Sequence, residues 1–294
     1  MILSVSRRTD IPCYYSSWFF KRISEGFVYI RNPRNKHQVS RVDITPDVVD
    51  CIVFWTKNPL PMLDNLQRVK SYKYYFQFTV TPYGKDIEPG LPQKSVLIDT
   101  FRSLSDEIGC DNVIWRYDPI FLNKKYNIAY HIENFEKLAS LLFSYTNKCV
   151  MSFIDFYPKI LNVMSTLNIN IFTEETKHNI AKALSEISKK YEISLFACAE
   201  EIDLTIHGIL SARCIDGRQI ELLTGREFKG TKDRNQRLLC GCVASIDIGA
   251  YDSCMNGCKY CYANNISVVN RNFSMHDPDS LLLIGNVSNE DSIT

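Results

Sequence analysis

The sequence has no long hydrophobic run, no surplus of either charge and no glycine-rich loop, and each absence removes a class of protein. No window approaches the ~20 apolar residues that cross a bilayer, so no membrane partner is expected. The opening stretch, MILSVSRRTDIP, has too short an apolar run before its arginines for a secretory signal. The expectation is a cytoplasmic protein. Lysine and arginine number 34 against 33 aspartates and glutamates, a net charge of +1, which gives no general electrostatic footprint for nucleic acid. Glycine numbers only 12 in 294 residues, and none forms a phosphate-cradling loop after the first apolar run, so a dinucleotide fold has little support. The five histidines, His37, His131, His178, His207 and His276, show no ligand spacing. There is no internal repeat or low-complexity linker.

Cysteine, by contrast, is plentiful. Eleven cysteines in a chain without a secretion signal point to metal or redox chemistry rather than structural disulfides. The stretch SCMNGCKYCYAN places Cys254, Cys258 and Cys261 in a C-x3-C-x2-C pattern, with an aromatic before the third. Structural zinc normally takes four ligands. Three thiolates suit a [4Fe–4S] cluster whose fourth iron stays open to a small molecule. Cys198, Cys214, Cys240 and Cys242 make a further set of four. If the fold brings them together they suit an auxiliary iron–sulfur cluster or a structural zinc site; otherwise they are four reduced thiols that never meet. Cys51 and Cys149 begin apolar runs and read as small core filler. Cys13 and Cys110 are uninformative.

Six short runs rich in β-branched and aromatic residues, ILSVS, CIVFW, YYFQFTV, NVIWRY, CVMSFID and ISLFACA, suit buried parallel strands. Between them, Leu97, Phe101, Leu104 and Ile108 recur at helical spacing, as do Phe135, Leu138 and Leu142, and Ile180, Leu184, Ile187 and Tyr191. Residues 27–44 read as an inserted hairpin. The fold class is α/β: a partial (β/α)6 TIM-like barrel over residues 1–205, with a C-terminal cysteine-rich, cluster-binding segment, residues 206–294, packed on the face where the strands end. Polar residues follow each run, among them Lys57, Arg116, Asp118, Ser152 and Glu200, and such a face is where a barrel gathers its active site. In SRRTD, Arg7 and Arg8 suit either an anionic substrate group or bracing of the C-terminal segment through Asp247 or Asp252. The basic stretch from Arg226 to Arg237 reads as a solvated face or a nucleic-acid groove.

The C-x3-C-x2-C loop with its aromatic resembles the radical S-adenosylmethionine (radical SAM) signature. The phrases SRRTDIP, FWTKNP, WRYDPI, SFIDFY and CGCVASIDIGAYDSCMNGCKYCYA resemble a bacterial family of unknown function, DUF1848, over nearly the whole length. TKNP followed by EPGLPQKSVLIDTFRSL is more weakly similar to the spore photoproduct lyase-like radical SAM branch. Radical SAM proteins usually carry the cysteine loop after the first strand. Here it lies near the other end, but a barrel face collects loops whatever their order along the chain.

The resemblance implies an enzyme that cleaves S-adenosylmethionine reductively at a [4Fe–4S] cluster to give a 5′-deoxyadenosyl radical, with a flavodoxin or ferredoxin as electron donor and an unknown substrate. The cosubstrate's carboxylate needs a cation and its ammonium an acceptor. Lys57 and Arg116 suit the first role, Glu200, Asp118 and Ser152 the second, and Tyr260 would pack near the adenine. The rivals are a non-catalytic zinc or iron–sulfur protein, structural or electron-transferring, and a nucleic-acid binding protein.

Overall fold

In the computed structural model, residues 1–294 are described, the side chain of residue 159 excepted. The chain opens with β1 (Ile2–Val5), helices α1 (Ile11–Tyr14) and α2 (Ser16–Glu25), and an antiparallel hairpin of β2 (Phe27–Arg31) and β3 (Gln38–Asp43). Strands and helices then alternate: β4 (Cys51–Thr56), α3 (Leu60–Leu63), β5 (Tyr74–Thr79), α4 (Lys94–Ile108), β6 (Val113–Ile120), α5 (Ile128–Leu142), β7 (Lys148–Phe153), α6 (Leu161–Thr166), α7 (Glu174–Lys190) and β8 (Ser194–Ala197). The rest holds β9 (Leu210–Ser211), α8 (Gly217–Thr224), β10 (Ile246–Asp247), α9 (Ile266–Ser274) and β11 (Ser292–Ile293).

Eight strands form one parallel sheet in the order β10-β1-β4-β5-β6-β7-β8-β9. Its six inner strands are the six apolar runs of the sequence. The outer two come from beyond residue 205. The C-terminal segment therefore does more than lie on the strand ends, since it extends the sheet at both edges. Two residues per strand are too few to leave a periodic signal in the sequence. The end strands β10 and β9 are not neighbours in the order, so the sheet is open. The expected hairpin is present, and β11 pairs with β3 to make it three-stranded. Among the described residues no helix is long and apolar enough to cross a membrane.

Alternation along each strand sorts the side chains onto two faces. Leu3, Ile52, Phe54, Phe76, Phe78 and Trp115 face the helices and are buried there with Phe19, Phe101, Phe135 and Leu184. Phe54 meets Phe19, Phe78 meets Phe101 and Trp115 meets Phe135 at centroid distances of 5.4, 5.0 and 4.9 Å, the range in which aromatic pairs attract beyond their buried area. On the other face Ile2, Val53, Tyr75, Ile114 and Val150 pack against Ile215, Ile220 and Val243 of the C-terminal segment. Further along the same strands this face turns polar: Ser4, Gln77, Arg116 and Ser152 fall in register with it.

The edge strand β10 is fastened by one carboxylate. Asp247 accepts from Ser4 Oγ (2.9 Å), Ser6 Oγ (2.5 Å), the Arg7 amide (2.8 Å) and the Gly249 amide (3.0 Å). Removing it strands two hydroxyls and two amides in a partly buried place. Asp247→Ala should therefore cost about 1–3 kcal/mol, read from the urea midpoint; a loss below about 0.5 kcal/mol would show that β10 does not depend on this group.

Candidate functional site

A cavity of about 1120 Å³ opens on the polar end of this inner face. Lys57, Arg116, Asp118, Ser152, Tyr260 and all seven cysteines singled out above line it; Glu200 does not. The volume slightly exceeds that of an ordinary drug-sized pocket, room enough for more than one bound group.

The loop carrying Cys254, Cys258 and Cys261 is held on the strand ends by polar contacts at each turn. Asp10, just past β1, accepts from Thr56 Oγ1 (2.7 Å), the Lys57 amide (2.8 Å), the Cys13 amide (3.2 Å) and Asn256 Nδ2 (3.0 Å). It thus joins the ends of β1 and β4 to the loop in one buried group. Tyr14 donates to Asn256 Oδ1 at 2.9 Å and Tyr15 to the Ser253 carbonyl at 2.5 Å. Asn264 grips the Cys254 peptide from both sides, accepting from its amide (3.3 Å) and donating to its carbonyl (3.0 Å). The Gly90 amide donates to Asn256 O and the Lys259 amide to Ile87 O, each at 3.0 Å. A Cβ on Gly90 would lie 2.5 Å from Met255 O and 2.7 Å from Asn256 O, so only glycine lets the loop this close.

Glu88 is the second anchor. Its carboxylate accepts from Lys57 Nζ (2.9 Å), Lys94 Nζ (2.8 Å), Thr81 Oγ1 (2.8 Å) and the Tyr260 hydroxyl. Burial would raise this acid, but Lys57 and Lys94 overcome it and hold its pKa at about 2. Lys57 also lies over the Tyr260 ring, 5.4 Å from its centroid. Burial works against both ammonium groups: at Lys57 it loses to Glu88 and the Cys258 thiol, and at Lys94 it prevails. Burial pushes the Cys254 thiol up to about 12. It raises Cys258 too, against the pull of Lys57.

Arg116 is buried and engaged through all three nitrogens. Nε donates to Asp118 Oδ2 at 3.1 Å, NH2 reaches the same carboxylate, and NH1 donates to Gln77 Oε1 (3.3 Å) and Cys214 Sγ (2.8 Å). Burial opposes its charge, but Cys214 and Asp118 outweigh that and raise its pKa. Asp118 also accepts from Ser152.

The four remaining cysteines do meet. Cys198 and Cys214 stand 3.4 Å apart, Cys214 is in hydrogen-bond contact with Cys242, and Cys242 with Cys240. These bonds, and Arg116 after them, lower Cys214, while its partners Cys198 and Cys242 are raised. The four lie in one buried cluster, and among the described residues no three ligating side chains converge on one point as they stand.

Glu200 is elsewhere. Its carboxylate accepts from the Phe153 amide at 2.8 Å and pairs with Lys177 at 3.5 Å, beside a separate small hollow of about 150 Å³. Ala199, with φ of 53°, turns the backbone, so Glu200 loses the inward direction that alternation gives Cys198. Arg7 and Arg8 line the cavity, but they also brace the C-terminal segment. Arg7 donates to Ser245 Oγ at 3.0 Å and pairs with Asp233 at 3.4 Å; Arg8 reaches the Gly249 carbonyl at 3.3 Å. Of the basic stretch, Arg226, Lys229, Lys232 and Arg234 are exposed to solvent, while Arg237 turns in to pair with Asp155. Glu88 and Asn256 were not singled out in the sequence, where an isolated acid or amide carries no signal of burial; Asp10 was legible only as one of the polar residues after the first apolar run.

Glu88 predicts a pH dependence. Its pKa is depressed on folding, so its contribution is whole above the ordinary carboxylate value and is lost as pH falls from about 4.5 towards 2. Thermal unfolding of the wild type should weaken across that window, and Glu88→Gln should flatten the slope; equal slopes would contradict it. Gly90→Ala should destabilise by about 1–3 kcal/mol through overpacking against the cysteine loop, and unchanged stability would mean that the loop does not sit there.

Among curated proteins, none matches the chain. A family model does match, over residues 2–263, and its description is a domain of unknown function. The match takes in the sheet, the four-cysteine set and the C-x3-C-x2-C loop, and by it the chain belongs to the DUF1848 family.

Proposed function

We propose that the chain is a radical SAM enzyme, in which Cys254, Cys258 and Cys261 hold a [4Fe–4S] cluster over the mouth of a partial β/α barrel. The observation that carries this reading is that one short loop, fixed to the strand ends by Asp10 and Glu88, presents three thiols to the same cavity as Lys57, Asp118 and Tyr260. The donor set fits. The thiols are soft ligands, and desolvated thiols such as Cys254 and Cys258 become thiolates most readily on a metal. Cys13 on α1 is near enough to Cys254 for their charges to interact, but it does not line the cavity, which leaves a set of three. When bound, the cluster would supply the one electron that breaks a C–S bond of S-adenosylmethionine to give methionine and a 5′-deoxyadenosyl radical, a chemistry that belongs to the cofactor.

The chain's own residues divide the remaining work. Lys57 uses one of its three N–H donors on Glu88 and keeps others for the cosubstrate's carboxylate. Arg116, engaged at every nitrogen, serves instead to hold Asp118 in place. Asp118 and Ser152 would accept from the cosubstrate's ammonium. Tyr260, packed against Tyr83 and Phe121 at 5.9 and 6.5 Å, would offer an edge of a fixed aromatic wall to the adenine. An external one-electron donor of the flavodoxin or ferredoxin class would complete the system, and the substrate is unassigned.

Anaerobic protein reconstituted with iron and sulfide, then given dithionite and S-adenosylmethionine, should release 5′-deoxyadenosine. Cys258→Ala should reduce that release at least 100-fold. Lys57→Ala should raise the Kd for S-adenosylmethionine roughly tenfold, equivalent to about 1.4 kcal/mol. A protein that takes up no iron at this loop, or that takes it up with no change in its EPR spectrum when S-adenosylmethionine is added, would defeat the reading.

A further inference from the structure

We propose that Cys198, Cys214, Cys240 and Cys242 bind a single tetrahedral zinc ion, a closed structural site separate from the three-cysteine loop. The four thiols come from three stretches: the end of β8, the turn between β9 and α8, and the loop before β10. All four side chains are buried. Cys198 and Cys214 are 3.4 Å apart, and contacts continue through Cys242 to Cys240. Four sulfurs bound at ~2.3 Å round one zinc stand ~3.8 Å from each other, close to the 3.4 Å between Cys198 and Cys214, and all four cysteines belong to one buried cluster, so the ion would draw together side chains that are already neighbours. In an iron–sulfur cube each thiolate sits on a different iron, which sets the sulfurs farther apart than the 3.4 Å between Cys198 and Cys214; that pair is spaced for a single ion.

The surroundings are those of a bound thiolate group. Arg116 NH1 donates to Cys214 Sγ at 2.8 Å, Arg237 NH2 to Cys198 Sγ at 3.8 Å and the Ile215 amide to Cys242 Sγ at 3.4 Å. Metal-bound sulfur is ordinarily held by such outer donors, and the two guanidiniums, each also paired with a carboxylate, Asp118 and Asp155, would offset part of the two negative charges of a tetrathiolate zinc. Trp55, which packs against this group, has a buried Nε1–H with no partner, and a buried orphan donor often marks an unseen acceptor or ion nearby.

The local chain needs such a staple. Residues 225–245 contain no helix or strand, a length at which a loop is usually functional or disordered. Yet Cys240 and Cys242 are buried within it. A zinc ion joining them to Cys198 and Cys214 would fix this loop to the sheet, since binding to ligands scattered along an unfolded chain is itself folding free energy. With four protein ligands the ion has no open position and does no chemistry.

The test uses the full chain purified without oxygen from medium supplemented with zinc and iron, as wild type and as the triple variant Cys254→Ala/Cys258→Ala/Cys261→Ala. The triple variant should keep one zinc per chain by elemental analysis and still take up Co(II), with the sulfur-to-cobalt charge-transfer and visible bands of a tetrahedral thiolate site. Cys240→Ser/Cys242→Ser should lower zinc content at least tenfold, and a chelator strong enough to strip the ion should lower the wild-type Tm. Iron with acid-labile sulfide in the triple variant would overturn the proposal in favour of a second cluster. Metal-free triple variant that is folded by circular dichroism, or zinc that washes out in buffer, would overturn it outright. None of these readouts depends on 5′-deoxyadenosine formation, so the fate of the radical SAM reading is decided separately.

Discussion

The arrangement turns on a carboxylate that is almost fully removed from water. Asp10 is 5% exposed and accepts from a threonine hydroxyl, two backbone amides and the side-chain amide of Asn256. Burial raises its pKa, and those four donors pull the other way. A buried charge is tolerable only when its lone pairs are filled, so the end of β1, the end of β4 and the cysteine loop must all be in place at once. Glu88 repeats the device at β5 and α4, with Lys57, Lys94, Thr81 and Tyr260 as donors. Asp247 repeats it at β10. The tail of the chain is therefore tied to the sheet by three acids, each of which would be costly to leave unpaired, and the position of the cysteine loop along the sequence ceases to matter.

Alternation of side chains then decides what the tail covers. The same two-residue period that sends Trp115 and Tyr117 into the helix layer sends Ile114 and Arg116 to the other face. Low on the strands that face is apolar and is filled by Ile215, Ile220 and Val243. Near the strand ends it is charged, and no apolar cover would be stable there. Arginines, thiols and carboxylates gather round a cavity instead. Trp55 lies under Arg116 and Arg7, 5.3 and 5.7 Å from its ring centroid, so even the large aromatic of this layer serves to hold cations.

Most of the fold was legible because both faces of the inner strands are buried, which makes each strand a continuous apolar run. The hairpin was visible from its alternation and turn residues. What escaped was whatever depends on long-range contact. β9 and β10 are two residues each and have no pattern of their own; they are strands because Ile209 and Ile248 find the core beside them. Ser152, near the end of an apolar run, lines the cavity, whereas Glu200, chosen as a polar residue at a strand end in the same way, does not, the chain being turned at one left-handed residue, Ala199. The meeting of Cys198, Cys214, Cys240 and Cys242 is a matter of loop closure over up to 44 positions, which spacing alone cannot decide.

The two sulfur sets share a cavity but differ in the charge placed beside them, and this bears on what each can do. The three-cysteine loop has a lysine, Lys57, which lines the cavity on a four-carbon stem and bonds Glu88 through one of its three N–H donors. The four-cysteine set has Arg116, whose planar guanidinium is fixed by Asp118 and Gln77 before it reaches Cys214. A flexible ammonium can follow a ligand that arrives and leaves; a guanidinium locked in three directions can only stabilise something that stays. The wall of the cavity thus carries an ammonium on a flexible stem beside one sulfur set and a fixed guanidinium beside the other. Asp118 stands at the boundary, holding Arg116 with one edge and taking the Ser152 hydroxyl with the other.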